Sequence, residues 1–155
     1  MADRFQERRL RIVISTILLA ASLVLAGRAS SLELITETEA KLPPALSTTT
    51  RGGITRGPGI VVVAPGSDRD VTAPFPMKVN FQPHGGSKID AAKVKVIYLK
   101  SPAVDLTPRL KAAISESGID LAGANAPPGT HDIRIEVTDD AGRTKSTVAS
   151  FTVVK

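Results

Sequence analysis

Three regimes of apolar patterning divide this 155-residue chain. An unbroken apolar run comes first, over residues 12–27, followed by a stretch of sparse and irregular apolar positions. From about residue 58 the pattern becomes short alternating segments separated by Pro, Gly and Asp. Alternation with period two is the signature of a half-buried strand. It is strictest in His131, Ile133, Ile135 and Val137, which share one face while Asp132, Arg134 and Glu136 take the other. Asp139, Asp140, Ala141 and Gly142 then form a turn, and residues 146–154 return with Ala149, Phe151 and Val153 inward. The same reading places Met77, Val79 and Phe81 on one inner face and Val94, Val96 and Tyr98 on another, with the apolar run 60–63 as a further strand. Thr107 as a cap, Pro108 at the first helical position and Gly118 beyond the end predict one or two helical turns bridging two strands, and residues 119–122 a short strand.

The expected fold is therefore all-β: an antiparallel β-sandwich over residues 58–155 with one short connecting helix, preceded by an N-terminal apolar helix. Arg4, Arg8, Arg9 and Arg11 lead into the apolar run, and Gly27, Arg28 and Ala29 give it a small-residue end. A basic flank, an apolar centre and a small-residue end make residues 1–29 a signal peptide, which places the rest in the periplasm or the external medium. The run from 12 to 27 is 16 residues, short of the roughly 20 that span a bilayer. The alternative is an uncleaved anchor: Arg28 is an uncommon neighbour for a scissile bond, and the arginines hold the amino terminus in the cytoplasm. The domain would then hang from the inner membrane and face the periplasm. No cysteine follows Leu25, Ala26 and Gly27, which excludes a lipid anchor.

Residues 30–57 read as a flexible linker rich in Ser, Thr, Gly and Pro. As coil they would reach roughly 30 Å end to end. A short amphipathic helix over 32–42, with Leu34, Ile35 and Leu42 as its apolar side, is the one element predicted inside it. Charge changes the picture only once the leader is set aside. The whole chain carries +5, but residues 1–29 hold five of its 20 basic and two of its 15 acidic residues, so the remainder is +2. Without a basic run in that remainder, a nucleic-acid partner is excluded. With no cysteine, the domain is held by its core alone.

The last hairpin, read as Pro127-x-Gly129-x-His131 with alternation, Asp139-x-x-Gly142, then Phe151-x-Val153, resembles bacterial immunoglobulin-like and fibronectin-type-III-like envelope domains. The likeness covers residues 58–155 in layout and implies a sandwich without the Cys pair and Trp of the antibody branch. Such domains act as spacers, adhesin repeats and assembly modules. The implied role is an exported, non-enzymatic module for protein interaction or spacing, with another envelope protein as partner and no cofactor. The layout is also similar to periplasmic copper-carrier sandwiches, which implies a metal- or small-ligand-binding carrier as the alternative. Arg143 stands where that family has a metal-binding histidine.

Candidate chemistry is sparse. His84 and His131, with Met77, are the available soft metal ligands, and His131 reads equally as a strand-start residue bonded to nearby backbone. Asp68, Asp70, Asp139 and Asp140 would bind calcium if one end of the sandwich gathered them, since calcium takes six to eight oxygens. His84-Gly85-Gly86 looks like an oxyanion segment of some esterases, yet no G-x-S-x-G elbow accompanies it, and a turn after a strand explains it. Sugar stacking needs exposed aromatic faces, for which Phe75 between Pro74 and Pro76 is the one expected at an edge.

Overall fold

The computed structural model describes residues 31–45, 57–67 and 70–155. The expected signal or anchor segment, the remainder of the linker and Asp68 lie outside the described residues. Among those described, nine strands form two facing sheets. They are β1 (Leu32–Glu33), β2 (Gly59–Ala64), β3 (Asp70–Thr72), β4 (Phe75–Gln82), β5 (Lys95–Tyr98), β6 (Val104–Asp105), β7 (Gly118–Asn125), β8 (Gly129–Thr138) and β9 (Thr144–Val154). One sheet runs β1-β7-β4-β2 and the other β3-β9-β8-β5-β6, so the molecule is a mostly-β, two-sheet sandwich.

Alternation decides which side chains fill the space between the sheets. β4 buries Phe75, Met77, Val79 and Phe81 and exposes every residue between them. β8 turns His131, Ile133, Ile135 and Val137 inward, and its antiparallel register with β9 is continuous from Gly129 opposite Val153 to Thr138 opposite Thr144. Val94, Val96 and Tyr98 are buried as the pattern predicts, as are Ala149, Phe151 and Val153. Each fully buried Val, Ile or Phe contributes about 1.5–3 kcal/mol of transfer free energy.

Four features depart from expectation. The sheets are mixed rather than purely antiparallel, because β1 lies parallel to β7 and β3 parallel to β9. Hairpins produce antiparallel pairs; these two short strands arrive from elsewhere in the chain and close sheet edges. Phe75 is 2% exposed, not an edge platform: it shares the inward parity of Met77 and Val79, and its ring lies 5.2 Å from that of Phe151. The short helix α2 (Thr107–Leu110) has Leu106, not Thr107, at its N-cap position and no side-chain cap bond, while the Thr107 hydroxyl accepts the Val96 amide at 2.9 Å. Gly118, read as a helix terminator, instead begins the eight-residue β7. There its φ of 155° and the close approach of the Val79 carbonyl leave no room for a Cβ.

The fourth departure concerns the expected linker, whose residues 31–45 are folded onto the sandwich. After β1, the amides of Leu34 and Ile35 both donate to the Asn125 carbonyl, and the two side chains are 0% and 1% exposed. The chain then turns into helix α1 (Glu37–Ala40), opened by a capping box in which Thr36 and Glu39 satisfy each other's backbone amides. Helix and burial both occur within the predicted 32–42 window. Leu34 and Ile35 nevertheless precede the helix rather than line it, and Leu42 stays half-exposed. Pro43 and Ala45 then bond through their backbones to Ser101 and Leu99, just beyond the end of β5.

Candidate interaction surface

His131 stands at the start of β8, 2% exposed, between Tyr98 and Phe151, with ring centroids 5.7 and 5.5 Å away. Its Nε2 lies 2.8 Å from the Pro127 carbonyl oxygen and its Nδ1 2.8 Å from the Tyr98 hydroxyl. A carbonyl only accepts, so Nε2 carries the proton and donates it. The neutral ring then accepts the Tyr98 O–H at Nδ1. Burial holds the His131 pKa below its ordinary value, with Lys100 adding to the effect and the Pro127 bond and Asp132 opposing it. Burial likewise pushes the Tyr98 hydroxyl up to about 12, helped by Asp132 and Glu39. Both ring nitrogens are engaged, so His131 ties strand to backbone and offers no free lone pair to a metal.

The other end of the sandwich carries the acidic turn. Asp139 is fully buried, and its carboxylate accepts the Arg143 amide at 2.8 Å, the Arg143 Nε at 2.7 Å and the Ser87 hydroxyl at 3.2 Å. Burial by itself would raise the Asp139 pKa; the bonds from Arg143 and Ser87 outweigh it and hold the group below the usual carboxylate value. Arg143 also donates to the His84 carbonyl oxygen at 2.9 Å, which puts His84 at this end and His131 at the other. Asp70 pairs with Thr152 whereas the Asp139 turn begins after Thr138 opposite Thr144. The eight residue steps along β9 from Thr144 to Thr152 separate the acids by roughly 27 Å. Asp140 is exposed beside Asp139, and Met77 lies in the core. Among the described residues the structure brings together neither the two histidines nor Asp70 with Asp139 and Asp140, and no group of three or more His, Cys, Asp or Glu could hold a metal ion.

Open clefts indent the surface of the described residues. One, of about 360 Å³, is lined by Glu33, Ile35, Asn125, Pro127, Val153 and Lys155 among others. It places the docked segment β1 and residue Lys155 at the same pole. Another, of about 500 Å³, lies between Val94, Asp105, Pro108 and Ile114. Among the described residues no helix is long and apolar enough to cross a membrane.

The outer sheet faces are more distinctive than the clefts. On the four-stranded sheet, β2 forms an edge and exposes Val61 and Val63. On the five-stranded sheet, β8 is the central strand, and strand register aligns Ile97, Arg134 and Val148 in one row across β5, β8 and β9. Val148 is 51% exposed. The Nε of Arg134 is shielded yet has no hydrogen-bond partner, the one such buried side-chain nitrogen or oxygen among the described residues. Leaving such a donor unsatisfied costs about 1–3 kcal/mol. The next row is Lys95, Glu136 and Ser146. Arg134 and Glu136 are outward positions of the strictest alternation in the chain, a signal that marks the core face and is silent on what the opposite face meets. Searches against family models, curated proteins and solved structures find no match to this chain.

Proposed function

We propose that the protein is an exported, non-enzymatic immunoglobulin-like module that acts by protein interaction at the bacterial envelope rather than as a spacer. The leader-like residues 1–29 support export, and the two-sheet layout with its final β8–β9 hairpin supports the immunoglobulin-like assignment. The observation that favours interaction over spacing is the outer face of the five-stranded sheet, where the Arg134 Nε is shielded without a hydrogen-bond partner and Val148 stays 51% exposed.

The experiment is envelope fractionation combined with crosslinking in the native cell. The full chain is expected outside the cytoplasm and in a reproducible crosslinked species, with deletion of residues 1–29 retaining it in the cytoplasm. Cytoplasmic residence of the intact chain, or the absence of any reproducible adduct, would overturn the reading.

A further inference from the structure

We infer that the outer face of the five-stranded sheet is a self-association surface, on which two copies of this chain pack face to face through reciprocal Arg134–Glu136 ion pairs. The inference rests on the interaction reading and names its partner as a second copy.

The face carries its own complement. Arg134 and Glu136 are two residues apart on β8, the middle strand, and both point outward. Neither has a side-chain hydrogen bond or ion pair among the described residues, and the Arg134 Nε is already shielded from water. A two-fold contact requires that residue i meet residue j and that j meet i. An axis lying across the strands at the level of Ile135 does this: it sets Arg134 opposite Glu136 of the second copy and Glu136 opposite its Arg134. The same operation lays Ile97 over Lys95 and Val148 over Ser146, so no like charges among these six residues oppose each other. An axis running along the strands would instead put Arg134 against Arg134, which disfavours that alternative.

Composition and size fit this arrangement. Arginine flanked by aliphatic side chains in a strand register is the type of anchor that interface centres favour. Stacked sheets separate by about 10 Å, a gap that opposed Arg and Glu side chains fill. The 30 residues of these five strands, at about 4.8 Å between strands and about 3.3 Å along them, give a face of roughly 500 Å² per copy. That is the lower end of specific interfaces, so the dimer is expected to be reversible and dependent on concentration.

The test is sedimentation velocity of the full chain in mild detergent from about 1 to several hundred micromolar, a range set by the modest area. The expected result is a monomer–dimer equilibrium that Arg134→Glu and Glu136→Arg each weaken at least tenfold and that the double exchange restores. Circular dichroism melts of all four proteins separate lost association from lost folding. A chain that stays monomeric throughout, or a dimer indifferent to both single substitutions, would overturn the inference. Crosslinking in cells to a different protein, with a monomer in vitro, would overturn self-association while leaving the interaction reading standing.

Discussion

Arg109 grips both carboxylate oxygens of Glu39, at 2.8 and 2.6 Å, and the same guanidinium donates to the Leu34 carbonyl at 2.7 Å. Glu39 lies in α1 and Arg109 in α2, 70 residues later, so one fork clasps the docked N-terminal segment to the body of the sandwich. A bidentate arginine–carboxylate pair is the strong form of this interaction.

Glu39 gives the first prediction. The Arg109 bonds, assisted by Thr36 and opposed by burial, bring its pKa down from 4.5 to about 2. A folded-state pKa below the unfolded value means that the stabilisation is complete above pH 4.5 and is lost as pH falls from there towards 2. Both side chains retain some exposure, so solvent screening reduces the contribution to about 1–2 kcal/mol. Glu39→Gln is expected to lower stability by that amount at pH 7 and by almost nothing at pH 2, measured by urea denaturation.

His131 titrates in a different window. Burial lowers its pKa, so the unfolded chain binds a proton more readily than the folded one, and stability rises with pH until the unfolded value near 6.5 is passed. Protonation at Nδ1 would also deprive the Tyr98 hydroxyl of its acceptor. Denaturation midpoints should fall between pH 7.5 and pH 5. Tyr98→Phe, which leaves Nδ1 unpaired, should cost about 1–3 kcal/mol at pH 7.5. An unchanged midpoint across this pH range would contradict the buried neutral ring.

How much was legible follows from the range of each signal. The inward residues of β4, β5, β8 and β9 were readable because a period of two is local, and one face of each strand is buried. The docking of Leu34 and Ile35 was not: the two read as the apolar side of a short helix, whereas their burial depends on Asn125 some 90 positions later. The same limit applies to Arg109 and Glu39, an ordinary surface pair in sequence, and to Asp139, whose turn was readable but whose partner Ser87 was not. Phe75 misled for a related reason: flanking prolines suggested an exposed edge, whereas parity with Met77 was the stronger signal.

Calcium should leave the protein unchanged. The Asp139 carboxylate is occupied by Arg143 and Ser87, and Asp70 belongs to the opposite pole. Thermal midpoints in millimolar calcium and in chelator are expected to coincide, with Asp139→Asn lowering both equally. A midpoint that rises with calcium in the native protein alone would show that the turn rearranges to bind it.

Gly118→Ala tests the crossing of β7 and β4. A Cβ there would overlap the Val79 carbonyl oxygen, and φ of 155° is itself costly for any residue but glycine. The two backbones must move apart at a point where Val79 and Ile119 are both in the core. A loss of about 3 kcal/mol is expected. By contrast Gly66→Ala, where the added carbon meets nothing within 4 Å, should change stability by less than about 0.5 kcal/mol.

Leu34→Ala distinguishes a docked segment from a tether. In a tether the substitution would fall within about 0.5 kcal/mol of neutral, as exposed positions do. The observed side chain is fully buried beside Ile35 and anchored through the Asn125 carbonyl, so removing it empties core volume that α1 and β7 do not readily collapse to fill. The expected loss is 2–5 kcal/mol in chemical denaturation. Arg109→Ala should add less than its separate effect when combined with Leu34→Ala, because both act on the same docked segment; contacts shared in this way are where additivity fails. Full additivity would mean that the clasp and the buried leucine stabilise independent parts of the fold. A coupled pair would establish residues 31–45 as one cooperative element of the sandwich.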